Sequence, residues 1–189
     1  MESAPERLRL LFETLGPTFI KIGQLAAGRP DLVPTEYIRE LQKLQDKVET
    51  IPYSTIKNLV ENGLGRKIEN LFSSFDTLPL ASASIAQVHA ARTLTGEDVV
   101  LKIQKPDVDR ILHKDFEILE LMAELAEATI PETTNFNPLL IVKEFKRLLL
   151  QEIDFEREAR TIERYQKNFS HSEFLVIPKV YKEFSTKRF

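Results

Sequence analysis

Residues 80–106, LASASIAQVHAARTLTGEDVVLKIQKP, decide how the rest of this chain is read. Two apolar, strand-like runs flank Thr95-Gly96-Glu97-Asp98, and a glycine-bearing turn between such runs predicts a β-hairpin. In the second run, VVLKI, Val100 and Lys102 share one face while Val99, Leu101 and Ile103 share the other, because strand side chains alternate. A small-residue loop followed by a strand lysine has the form of a hairpin that cradles phosphate. The glycines that would let backbone N–H groups approach an anion are missing, and Ala81, Ala83 and Ala86 stand in the loop instead. The same residues also fit a plain hairpin: a strand lysine is more often simply solvated, and ASAS reads equally as a strand start with small packed residues.

The periodicity outside the hairpin is helical on both sides. Leu8, Leu11, Phe12 and Leu15 recur at helical spacing behind Ser3, a candidate N-cap, and Pro5. Gly16-Pro17 breaks that run, and a second helix from Thr18 puts Lys21 and Gln24 three apart on one face. Ile38, Leu41, Leu44 or Gln45, and Val48 continue in phase after Thr35, a candidate cap. A short helix ending at Gly63 and another over Lys67–Phe72 follow. Residues 78–105 are expected to form three strands. Beyond Pro106, Ile111, Leu112, Ile118, Leu119, Met122 and Leu125 form a helical stripe. Asn137-Pro138 opens another helix, and Asp154 is a candidate N-cap for a third. The final residues, FLVIPKVYKEFSTKRF, are expected to form two short strands. Five antiparallel strands with a helix between the third and fourth is the layout of a protein-kinase small lobe. The fold class expected is therefore α+β.

Composition narrows the function. The 189 residues carry a net charge of −3, which argues against a nucleic-acid binder held by phosphate contacts. With no cysteine, disulfides and thiol catalysis are excluded. His89, His113 and His171 show no metal-ligand spacing, so no metal site is expected. No apolar run is long enough to span a bilayer, and MESAPERLRL is not a signal peptide. A cytoplasmic location is expected, with peripheral contact at a membrane left open.

Lys102 is the leading candidate for a phosphate-binding cation, provided a carboxylate on a packed helix holds it, and Glu158 is the candidate carboxylate. Lys21 and Gln24 alone fit a solvated helix face. Glu152 and Asp154, two apart, could bind magnesium, bind a lysine or lie on the surface. His113-Lys114-Asp115 imitates a kinase catalytic loop, but Glu120 stands where an asparagine is needed and the context is helical.

Together these residues resemble the UbiB (aarF-like) family of atypical kinases linked to ubiquinone biosynthesis. KIGQ, Lys21 to Gln24, resembles the family's KxGQ signature. PLASASIAQVHAA resembles its Ala-rich loop, VVLKIQKP its lysine strand, and EID, Glu152 to Asp154, its ExD motif. The resemblance implies a helical KxGQ extension over residues 1–76 and a kinase-like small lobe over 77–189, with a helical insertion at about 107–150. It implies that ATP or ADP with Mg²⁺ is held by Ala81, Ser82, Ala83, Ser84, Ile85, Ala86, Gln87, Val88 and Lys102, with Glu158 pairing the lysine. It implies a cover over the nucleotide in which Lys21 and Gln24 meet Glu152 and Asp154. The large lobe, with its metal ligands, is expected in a longer protein, and this segment alone is expected to be inactive. Lipid or quinone-biosynthesis proteins and a dimer are the expected partners. A pseudokinase-like scaffold for protein partners is the alternative.

Overall fold

The computed structural model describes residues 2–44, 50–130 and 137–189. The chain divides into two compact units, Met1–Val48 with Asp107–Leu150, and Glu49–Pro106 with Gln151–Phe189. These limits cut across the motif-based division at 76 and 77.

The first unit is helical. Ser3 caps α1 (Ala4–Leu15) by accepting from the Glu6 N–H at 3.3 Å, and Gly16, at φ +99°, separates it from α2 (Pro17–Ala27). The third helix, α3 (Thr35–Leu41), has Pro34 rather than Thr35 at its cap position. The phase positions Gln45 and Val48 lie outside the described residues. Ala26, Leu41 and Leu44 form the core here, with Leu8, Phe12, Ile20 and Phe145 packed against it. The long helix α5 (Val108–Thr129) buries Leu112, Phe116 and Ala123. Asp115 on its inner side accepts a hydrogen bond from the buried Thr18 hydroxyl. The expected break at Asn137-Pro138 is present: α6 (Pro138–Glu152) starts at the proline. Lys146 ties α6 to α5 through Glu120 at 3.0 Å.

The second unit holds an antiparallel sheet. Its strands are β1 (Phe72–Phe75), β2 (Ala81–Ser82), β3 (Ala86–Thr93) and β4 (Asp98–Gln104). Strand β3 is central, with β1 and β2 pairing with it and β4 also beside it. The turn between β3 and β4 contains Gly96 at φ +92°, a left-handed value that glycine adopts without Cβ strain. Helix α4 (Tyr53–Leu64) supplies Ile56 and Val60 to a core shared with Ile68, Leu71, Phe72, Ala91, Leu101 and Ile103.

Three sequence expectations are corrected. Helix α4 runs through Gly63 and stops at Gly65, which takes the left-handed φ of +69°. Gly63 is small for another reason: a Cβ there would lie 2.1 Å from the Phe189 ring. The helix expected over Lys67–Phe72 is one 3₁₀ turn, Ile68–Asn70, followed by β1, because Phe72 and Phe75 gain more by pairing on the sheet. The two C-terminal strands do not form, so the described sheet has four strands rather than five. Residues 173–181 contribute no ladder, and the chain is held instead by Phe184 against Phe72 at 5.0 Å and by Gln104 N–H to Arg188 C=O at 2.9 Å.

Candidate nucleotide-binding face of the sheet unit

Pairing of β3 with β4 places Val88 opposite Lys102 and Ala90 opposite Val100. Directly opposed strand residues point to the same side, so these four form one face of the ladder. That face is open: Val100 is 64% exposed, whereas Leu101 and Ile103, which alternate with it, are buried. Strand alternation thus sets the two faces of VVLKI as expected.

Lys102 does not project freely from this face. Its Nζ donates to Glu158 Oε2 at 2.6 Å and sits 4.5 Å from the centre of the Phe155 ring. Helix α7 (Phe155–Asn168) carries both partners, and α7 is fixed at its start by Asp154, whose carboxylate accepts from the Arg157 N–H at 3.0 Å. The N-cap thus sets the angle at which the first turn of α7 meets the lysine. Glu158 is one turn from the cap and Phe155 is the first helical residue. Phe155 was not foreseen from sequence; its signal is its place directly after the cap, where a buried aromatic lies under the cation. Val88, Val100, Lys102, Phe155 and Glu158 line a cavity of about 340 Å³.

The Ala-rich segment is half strand, half turn. Ala81 and Ser82 pair with Val88 and Gln87, and Ala83 N–H donates to Ala86 C=O at 2.8 Å. Lys105 N–H closes the turn from the other side by donating to Ile85 C=O at 2.9 Å. Among the described residues, the hydroxyl oxygens of Ser82 and Ser84 are buried without a hydrogen-bond partner. A buried hydroxyl left unpaired is costly, so both carry bonding capacity that the protein itself does not use.

The expected loop set is divided by the structure. Val88 belongs to the open face, but Ile85, Ala86 and Gln87 are buried, and Gln87 faces the interior. Its Oε1 accepts from Ile51 N–H at 2.8 Å, and its Nε2 reaches Ile51 C=O at 3.3 Å and His89 Nε2 at 2.9 Å. His89 Nδ1 lies 2.8 Å from Asp76 C=O, which can only accept, so Nδ1 carries the proton and Nε2 accepts from Gln87. Gln87 therefore acts as an internal brace. With His89 it ties Ile51 and Asp76 to β3.

The KxGQ residues sit in the first unit. Lys21 is half-buried on α2, and Gln24 Nε2 donates to Leu44 C=O at 3.2 Å. Gly23 between them has a packing reason: a Cβ there would meet Leu44 Cδ1 at 2.3 Å and Phe12 Cδ2 at 2.8 Å. Glu152, the last residue of α6, and Asp154 belong to the second unit. His113-Lys114-Asp115 lies within α5, as the helical context required.

The ABC1 atypical kinase-like domain matches residues 43–189. The chain is similar to the "Probable protein kinase UbiB" of Pseudomonas paraeruginosa, 41% identical over 175 residues, covering 93% of this chain and 33% of that one. Its counterpart in Vibrio vulnificus is 40% identical over 183 residues, covering 96% and 34%. Among solved structures, the fold is similar to Rv3197 from Mycobacterium tuberculosis, described in complex with erythromycin. That match has a TM-score of 0.57 at 27% identity and covers 82% of this chain and 41% of the other. The chain thus spans about a third of the length of the curated relatives it matches.

Proposed function

This chain belongs to the ABC1 atypical kinase-like family and has its kinase-like small-lobe fold; from that premise we propose that it is the nucleotide-binding portion of an atypical kinase or ATPase. The observation that carries the reading is the Lys102–Glu158 pair on an open apolar face at the edge of a cavity. A cation already oriented by a carboxylate loses little freedom when a phosphate arrives. Val88 and Val100 offer the flat apolar surface a nucleobase needs. ATP or ADP fits this set.

Magnesium is a different matter. Among the described residues no three His, Asp or Glu side chains gather to hold a metal ion. Phosphoryl transfer needs metal-borne charge stabilisation of that kind. The names of the relatives support a role for the longer protein in making ubiquinone or a related isoprenoid quinone. Lys21, Gln24, Glu152 and Asp154 are assigned a regulatory role.

Thermal unfolding with and without Mg–ADP tests the main proposal. At a hundredfold excess over Kd the wild-type transition should rise by about 5 °C or more. Lys102→Ala should lose that rise while its unliganded stability changes by less than about 1 kcal/mol, since the pair is largely exposed. An equal rise in both proteins sinks the role of Lys102. No rise in either, with the fold intact, favours the scaffold reading.

A further inference from the structure

Two chemically unlike partners meet the Lys102 ammonium. Glu158 Oε2 accepts from Nζ at 2.6 Å, and the centre of the Phe155 ring lies 4.5 Å away. The ion pair is a weak holder by itself. Its side chains are 38% and 47% exposed, and such a pair is screened by water and must order two long stems. Phe155 is the opposite case, with 4% of its surface exposed. Its backbone N–H donates to Lys187 C=O at 3.2 Å. Just before it, Ile153 C=O accepts from Gln104 Nε2 at 3.1 Å in a buried bond, and Gln104 lies on β4 two residues beyond Lys102. That bond fixes the ring and the lysine in one frame.

We propose that Phe155 is a positioning residue: its ring face, and not Glu158 alone, fixes the Lys102 ammonium. This role rests on the nucleotide-binding reading of the site and deepens it. A carboxylate holds an ammonium through a charge-assisted bond, and phosphate competes for the same donors. An aromatic face attracts the cation through its quadrupole and carries no net charge, so it holds the lysine without competing. Lysine has three N–H donors and no acceptor. One donor goes to Glu158 and the ring occupies a second side of the ammonium, which leaves one donor for a phosphate oxygen. Lys102, Phe155 and Glu158 all line the same cavity.

Stepwise fluorination of the ring at position 155, in the whole chain, weakens its negative face while nearly keeping its shape. Calorimetric titration with Mg–ADP should show Kd rising with each added fluorine, by about tenfold across a series of one to three. Circular dichroism should stay unchanged. A second readout needs no nucleotide. The Lys102 ε-methylene protons, assigned by the loss of their signal in Lys102→Arg, should resonate upfield of the other lysines because they lie near the ring. Glu158→Gln should keep most of that displacement. Three results overturn the proposal: a flat Kd series, a wild-type Lys102 at the ordinary lysine position, or a displacement that vanishes in Glu158→Gln. A wild type that binds no Mg–ADP, yet keeps the displacement in Glu158→Gln, removes the nucleotide reading and leaves the hold of Phe155 on Lys102 standing.

Discussion

The sheet unit and the helical unit handle their apolar residues differently. In the sheet unit Ile56, Val60, Leu101 and Ile103 close around one another, and even the polar Gln87 and His89 are buried with partners. In the helical unit Ala26, Leu41 and Leu44 form one buried cluster and α5 buries Leu112, Phe116 and Ala123, while its other side leaves a stripe of large apolar side chains outside. Sheet faces bury their inward residues when one helix packs across them. A single long helix has two sides and buries only the one it packs. The contrast teaches that a helix packed on one side only leaves its other apolar side outside, whereas the sheet closes its inward face under α4.

The largest expected effect breaks the sheet side of that contrast. Ile103→Ala removes a fully buried β4 side chain from the core shared with α4 and should cost about 2–5 kcal/mol in chemical unfolding. A cost under 1 kcal/mol would mean that this core is no tighter than the helical one. Gln87→Leu comes next, at about 1–3 kcal/mol, because it strands the Ile51 N–H and C=O and His89 Nε2. Hydrogen exchange should speed up at Ile51 first.

Gly23→Ala sharpens the comparison from the helical side. Alanine gains about 1 kcal/mol of helix propensity, but overpacking against Leu44 and Phe12 costs about 1–3 kcal/mol. A net loss of about 1 kcal/mol is expected, and a net gain would show that the first unit yields easily. At the exposed end, Leu121→Glu should change the stability of the monomer by less than about 0.5 kcal/mol.

Acid should act on the C-terminal segment of the sheet unit. The Lys179 ammonium, with the Tyr181 and Thr95 hydroxyls, holds the Glu97 carboxyl below the usual carboxylate range, and Lys179 Nζ lies 3.1 Å from it. A depressed carboxyl contributes fully above its unfolded value and is lost as pH falls through its folded one. Exchange protection of the Phe184 N–H, which donates to Tyr181 C=O at 3.0 Å, should therefore hold from pH 7 to about 5 and fall below about 4, and Glu97→Gln should abolish that dependence.

The sequence by itself determined the hairpin, the sidedness of Lys102, the caps at Ser3 and Asp154, and the helix start at Pro138. Each rests on local physics: strand alternation, one turn's hydrogen bonds, or the fixed φ of proline. It also carried the resemblance to the family whose domain matches residues 43–189. Only the tertiary structure decided that Gln87 is a brace, that Phe155 lies under Lys102, and that Gly23 and Gly63 are packing glycines. The same holds for β1 forming and the two C-terminal strands not forming. These depend on which side chain arrives from a distant part of the chain. A strand exists only where a partner's N–H and C=O groups are in reach, and a period-two pattern does not say whether one is.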